Sequence, residues 1–247
     1  MEWYQIIAIF GALAWLPIII RWFIRPKLSI VSDNEIEVGY DLDGPKLKIQ
    51  FAFSSDYKDS LIDNMTLELI HKDQETHSLI WNWLEEEIIQ ITYPEFGELP
   101  TKKKQKAIAI HVPNDFLTEK RISFIDKEFK DRFNELQLLL DIKHNNFFTE
   151  KKDLKELRST NEFKNFINLY VNSFYWKPGE YSISIKIHNR KNINPYHHKM
   201  RFQLTNLDTQ KLRHNIESSK RFFDSVYITQ DKESLTGWNT IKKLKIR

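Results

Sequence analysis

From Leu47 to Phe53 the chain alternates, with Leu47, Ile49, Phe51 and Phe53 set against Lys48, Gln50 and Ala52. Successive side chains of a strand point to opposite faces, so this spacing predicts a strand with one face in a core. Met65–Ile70, Leu79–Leu84 with Trp81 and Trp83 on one side, and Ala107–Val112 with Ile108, Ile110 and Val112 on one side repeat the pattern. Nearer the carboxyl end, Tyr181, Ile183, Ile185 and Ile187 alternate with polar residues, and Met200, Phe202 and Leu204 do the same. Asp43-Gly44-Pro45 and Asn192-Ile193-Asn194-Pro195 supply turn chemistry between such runs. With Leu28–Val31 and Ile36–Val38 added, six or seven antiparallel strands are expected.

A different rhythm fills the middle. Ile122, Ile125, Phe129, Phe133, Leu136 and Leu140 recur at three- and four-residue steps, which predicts a helix with one apolar stripe. Ser159 stands three residues before Glu162, a capping-box spacing, ahead of Phe163, Phe166, Ile167, Tyr170, Val171 and Phe174. A last helix is expected from about Asp208 to Ser225, with Leu212, Ile216 and Phe223 inward.

Trp3 to Ile20 is a run of 18 residues without a formal charge, WYQIIAIFGALAWLPIII. At 1.5 Å per residue, Trp3 to Trp22 would reach about 28 Å, close to the ~30 Å hydrocarbon thickness. Trp3 and Tyr4 flank one end and Trp22 and Phe23 the other, where headgroup-level aromatics are favoured. Residues 3–24 are therefore expected to form a single-pass transmembrane helix contacting membrane lipid. Glu2 before the run and bulky residues after it favour an uncleaved signal anchor, loosened at Pro17. Arg21, Arg25 and Lys27 follow the run and no cation precedes it, which places the body in the cytoplasm. The expected division is an anchor over 1–25, a β domain over 26–207 with a helical insertion over about 114–175, and a C-terminal helix and basic tail over 208–247.

Trp176-Lys177-Pro178-Gly179-Glu180-Tyr181-Ser182-Ile183 resembles the entry to strand F of immunoglobulin-like β-sandwiches. In that resemblance Gly179 matches the turn glycine, Tyr181 the corner tyrosine and Ile183 the inter-sheet cysteine position. It implies a buried Tyr181 ring whose hydroxyl bonds upstream backbone, and a mainly-β antiparallel sandwich carrying an inserted α-helical subdomain. It implies no activity.

Composition narrows the chemistry. With no Cys, there is no disulfide, thiolate zinc site or cysteine nucleophile. Among eight histidines, His188, His197 and His198 fall near the last two strands, but adjacent strand residues point apart and no ligand spacing accompanies them. Asp41-Leu42-Asp43-Gly44 runs into Pro45 and reads as a hairpin turn rather than a calcium loop. Ser55-Asp56-Tyr57-Lys58 has SxxK spacing without its companion motifs, and no GxGxxG, GxxxxGK[ST] or GxSxG is present. Glu85-Glu86-Glu87 reads as a solvated face. Lys102-Lys103-Lys104-Gln105-Lys106 and Lys242 to Arg247 are basic runs that either attract anionic lipid or are ordinary solvated segments. A net charge of +3 does not mark a nucleic-acid binder.

No catalytic, cofactor or metal residues are assigned, and no enzyme activity or cofactor is expected. The expected function is a membrane-anchored adaptor subunit that recruits a protein partner or a second copy through its helices, loops or a sheet edge. The alternative is a membrane-anchored sensor in which a small ligand enters a polar concave pocket and drives oligomerisation. An enzyme would instead show a cleft with a His and a carboxylate in hydrogen-bond reach.

Overall fold

The computed structural model describes residue 15 and residues 26–91, 98–190, 195–229 and 237–244. Ten strands form one antiparallel sheet: β1 Lys27–Asp41, β2 Gly44–Asp56, β3 Ser60–His71, β4 Thr76–Ile91, β5 Glu98–Lys106, β6 Ile110–Val112, β7 Thr118–Asp126, β8 Gly179–Asn189, β9 Tyr196–Leu204 and β10 Thr240–Leu244. The neighbour order β10-β1-β2-β7-β4-β3-β8-β9 curls round until its ends approach, giving a nearly closed barrel. The seam is closed by side chains: the Leu28 amide donates to the Tyr196 hydroxyl at 3.0 Å, and Ser32 Oγ lies 2.6 Å from His198 Nε2. At its other half β10 pairs with β1, Gly39 opposite Thr240 and Glu35 opposite Leu244. Closure of this kind leaves little edge for foreign strands to pair with.

Alternation sets the inside. Ile36, Val38, Leu47, Ile49, Phe51, Phe53, Ile122, Phe124, Met65, Leu67, Leu69, Ile183, Ile185, Ile187, Phe202 and Leu204 form one buried cluster. β3 and β4 pair only from Thr66–Ile70 to Thr76–Ile80 and then part. β5 takes the freed side of β4 and β6 that of β3, with the Ala107 amide donating to the Asn82 carbonyl at 2.9 Å between them.

Among the described residues from 26 onward, the α-helices lie at one end of the barrel. α1 (Lys127–Thr149) leaves β7, α2 (Asn161–Asn172) leads through Trp176 into β8, and α3 (Asn206–Asp224) follows β9. Each starts where a side chain accepts an otherwise unpaired amide: Asp126 from Phe129, Thr160 from Phe163, and Thr205 from Asp208 in a full capping box. Phe129, Phe133, Phe166, Tyr170, Phe223 and Tyr227 pack ring against ring beneath them. Gly44 (φ +76°) turns the β1–β2 hairpin under α1, where a Cβ would come within 2.4 Å of the Phe129 ring.

The cap is tied to the barrel through the end of β1. The Tyr40 hydroxyl donates to the Tyr170 carbonyl (2.5 Å), the Tyr170 hydroxyl to the Leu42 carbonyl (2.8 Å) and Trp176 Nε1 to the Gly39 carbonyl (3.1 Å). Asn215, fully buried on α3, donates to the Tyr40 and Asn239 carbonyls at 2.8 Å each and accepts from the Asn239 amide at 2.9 Å.

Several expectations are corrected. One nearly closed sheet replaces the two-sheet immunoglobulin-like sandwich. Strand rhythm reports which face is buried but not whether a sheet opposes a second sheet or closes on itself. Locally, the Tyr181 ring is buried and its hydroxyl donates to the Lys177 carbonyl at 3.0 Å, within a barrel strand. The proposed membrane helix over residues 3–24 lies outside the described residues apart from Trp15. Among the described residues no helix is long and apolar enough to cross a membrane, and α1, at 23 residues, carries formal charges on successive turns. The single-pass membrane localisation, and with it the cytoplasmic placement of the body, is therefore not supported. The helical insertion also begins later than expected, because Ile122 and Ile125 belong to β7 and the helix starts beyond the Asp126 cap. Ile108, expected inward, is exposed.

Replacing Asn215 with Ala leaves the buried Tyr40 carbonyl without its partner, at a cost of about 1–3 kcal/mol, and removes two half-buried bonds to the Asn239 backbone. Asn215→Ala is expected to lower the urea midpoint at unchanged slope by the equivalent of about 2–3 kcal/mol, whereas exposed Asn145→Ala should stay within about 0.5 kcal/mol. Equal midpoints for the two variants would contradict the tether.

Candidate binding cleft and helix face on the cap

Where β4 begins, β7 ends and α1 starts, a cleft of about 170 Å³ opens between Glu75, His77, Asp126, Glu128, Phe129, Arg132, Asn172, Ser173 and Tyr175. The pairing of Leu79 with Asp126 sets His77 just past the last residue of β7. The His77 ring stacks on Tyr175 with centroids 3.5 Å apart and planes 13° apart. His77 Nε2 is 3.3 Å from Glu75 Oε1, and Nδ1 is 4.0 Å from Asp126 Oδ2. Glu75 is held in turn by Lys177, and Asp126 Oδ1 accepts the Phe129 amide at 2.8 Å. The Tyr175 hydroxyl is buried beside Asp126 without a well-aligned hydrogen bond.

Burial dominates the charge state. It holds His77 below its ordinary value, against the pull of Glu75 and Asp126. Burial also raises Asp126, opposing the stabilising bond from Phe129, and raises the Tyr175 phenol well above its usual range. Glu75 is lowered, chiefly by its bond to Lys177. The cleft is thus a neutral imidazole between an ionised and a desolvated carboxylate, rich in acceptors, with Arg132 as its cation. It can hold a small donor-bearing molecule. Among the described residues no group of three or more His, Asp or Glu is placed to hold a metal ion.

The second feature lies along the same helix. α1 buries Phe129, Leu140 and Phe147 on one side, while Leu138, Leu139 and Ile142 are 61%, 47% and 51% exposed on the other. Residues at i, i+1 and i+4 share an arc of a helix, so these three form one apolar patch.

The residues weighed from sequence go elsewhere. Ser55 Oγ donates to the Lys58 carbonyl and meets Ser60 Oγ, both at 2.7 Å, so the SxxK serine serves a turn. Asp41 Oδ1 accepts the Asp43 amide at 3.0 Å in the hairpin. His188 and His197 are exposed, while His198 sits at the seam. Glu85 to Glu87 pair in register with Lys104 to Lys102, so the acidic and basic runs are partner strands. In the C-terminal run, Lys242 lies 3.6 Å from Glu35 and Lys243 2.5 Å from Asp208. Glu75, His77, Asp126 and Tyr175 carried no signal, because three segments separated by up to a hundred positions converge only in the fold. The α1 patch was detectable in principle, since Leu138, Leu139 and Ile142 lie off the stripe of Leu136 and Leu140.

No family model matches the chain, and no curated protein does. A solved structure described as a family 123 glycoside hydrolase from Clostridium perfringens, studied for glycolipid glycan hydrolysis, is similar at a TM-score of 0.34 and 13% identity. The match covers 74% of this chain and 28% of that one, so this chain spans under a third of that enzyme's length. It assigns no catalytic role here.

The depressed His77 value has a stability consequence. As pH falls through about 6.5 the unfolded chain gains a proton at this position before the folded chain does, so stability is lost on acidification. Between pH 7.5 and 5.5 the melting temperature of the native chain is expected to fall further than that of His77→Gln. An equal or larger fall in the variant would show that burial does not govern this imidazole.

Proposed function

We propose that the chain is a non-catalytic binding domain, an adaptor that holds a protein partner on the outer face of α1. The observation that carries this reading is the patch of Leu138, Leu139 and Ile142 on a helix whose opposite side is already packed. Burying three such side chains would each contribute about 1.5–3 kcal/mol relative to exposure, so a complementary surface gains from covering them. The barrel and the aromatic cap hold α1 rigidly, which lowers the ordering cost of docking. A near-balanced charge and the register of the basic runs with acidic strands favour a protein over a nucleic acid.

A second reading, a sensor of a small polar ligand, is favoured by one observation: the first turns of α1 line the polar cleft, so the patch and the cleft share a helix. It would show as assembly that requires a small-molecule fraction of native extract and is lost in Glu75→Gln/His77→Gln.

Affinity purification of the full chain from its native extract in mild detergent, followed by mass measurement of what stays attached, tests the adaptor. The native chain is expected to retain a polypeptide in stoichiometric amount, whether another protein or a second copy, and Leu138→Asp/Ile142→Asp to lose it while melting normally. Retention of no polypeptide by the native chain, or equal retention by the variant, would overturn the reading.

A further inference from the structure

We propose that the cleft beside His77 takes a small α-amino acid as its zwitterion, with the ammonium against Asp126 and the carboxylate against Arg132; this rests on the second reading above, of the cleft as a ligand site. At about 170 Å³ the space falls short of the ~300–1,000 Å³ of sites for drug-sized molecules, so its occupant has only a handful of non-hydrogen atoms.

The inner wall calls for a hydrogen-bond donor. The Asp126 side chain is 9% exposed, and its Oδ1 accepts the Phe129 amide. Oδ2 lies 4.0 Å from His77 Nδ1, beyond hydrogen-bond reach, and beside a buried Tyr175 hydroxyl that is itself without a well-aligned bond. Buried oxygens are nearly always paired, and a donor bonded to Oδ2 would remove the cost of leaving this one unmatched.

That donor is positively charged. Glu75 and Glu128 line the cleft with Asp126, and α2 ends there at Asn172 and Ser173 with no basic residue in its last turn. Three carboxylates and the carbonyl end of a helix therefore favour a cation. Glu75 is already taken by Lys177 and His77, which leaves Asp126 as the acceptor. Burial holds the Asp126 carboxyl above its ordinary value, and an ammonium beside it would favour the ionised form. Among the described residues no three such groups are placed to hold a metal ion, which points to an ammonium instead.

The outer wall calls for an anion. Arg132 is exposed, lines the cleft and makes no ion pair among the described residues, although Glu128 stands one turn before it. A guanidinium receives a carboxylate through two parallel bonds. A plain amine would meet the charge of Arg132 without answering it, whereas a zwitterion answers both walls.

Titration calorimetry of the purified full chain in mild detergent with glycine, L-alanine and L-serine tests this. Saturable binding of at least one is expected, with a Kd at or below about 1 mM. The amide of that amino acid, and the acid lacking its amine, should each bind about tenfold more weakly or worse. Asp126→Asn should weaken the amino acid by a similar factor, and Arg132→Gln should bind the amino acid and its amide equally. Asn caps a helix about as well as Asp, and Arg132 is exposed, so both variants keep the fold. No saturable binding of the three at about 10 mM, a native chain that prefers the amide or the amine-free acid, or variants that bind as the native chain does would overturn the proposal. An extract fraction freed of amino acids on a cation exchanger at acid pH that still drives assembly would overturn the amino acid alone. No binding, together with no assembly in any small-molecule fraction, would overturn the sensor reading as well.

Discussion

The structure depends on how the last residues of β1 have their backbone carbonyls bonded. A strand that runs past its neighbours presents polar groups which cannot be buried unpaired. At Gly39, Tyr40 and Leu42 the partners come from three different segments: Trp176 before β8, Asn215 on α3 and Tyr170 on α2. Each of these donors sits on a side chain that is also buried in the cap core. The same bonds that satisfy β1 therefore fix the helices over the barrel end, and through Asn239 they position the approach to β10. Tyr40 closes the arrangement, since its own carbonyl accepts from Asn215 while its hydroxyl donates to Tyr170.

α1 inherits its placement from this tether at one remove. Its first turn is fixed by the Asp126 cap and by Phe129 over Gly44, and its middle by Leu140 in the shared core. Farther along, the Tyr227 hydroxyl, from the π-helical turn after α3, donates to Asp141 at 2.6 Å. A helix held at three points presents its outer side as a rigid surface. Its first turn forms a wall of the cleft, so whatever occupies Asp126 and Arg132 acts on the same rigid body that displays Leu138 and Ile142.

How much of this could be read from the chain follows from what periodicity encodes. The β2, β3, β8 and β9 faces were legible because one side of each strand is uniformly apolar. α3 was legible because Leu212, Ile216 and Phe223 lie along one face. β7 was read as helix because Ile122, Ile125 and Phe129 happen to fall at steps of three and four; there the helix period runs across a strand–helix junction. β4 misleads differently. A register shift between Trp81 and Trp83 inserts Asn82 and reverses which parity faces inward, so Leu84 is buried rather than paired with its even-spaced neighbours outside. Barrel closure was not legible, since it is settled by Tyr196 and His198 reaching β1 over more than 160 positions. The cleft was illegible for the same reason: Glu75, His77, Asp126 and Tyr175 share no spacing.

The abundance of charge in the chain makes the α1 patch more informative. Across the outer faces of β1, β2, β7 and β4, Glu37 meets Arg121 at 2.6 Å and Lys48 at 3.4 Å, and Lys48 meets Glu85 at 3.0 Å. Fully exposed pairs contribute little, about 0–1 kcal/mol each, but these are largely shielded, and removing one member would strand the other in a poor dielectric. Such networks cover this part of the barrel wall with groups that satisfy one another. On α1 the opposite choice is made: an alternation that elsewhere puts Glu, Lys or Arg outward puts Leu138, Leu139 and Ile142 outward instead. These wall charges are already partnered, whereas the α1 face gains free energy only when another surface covers it.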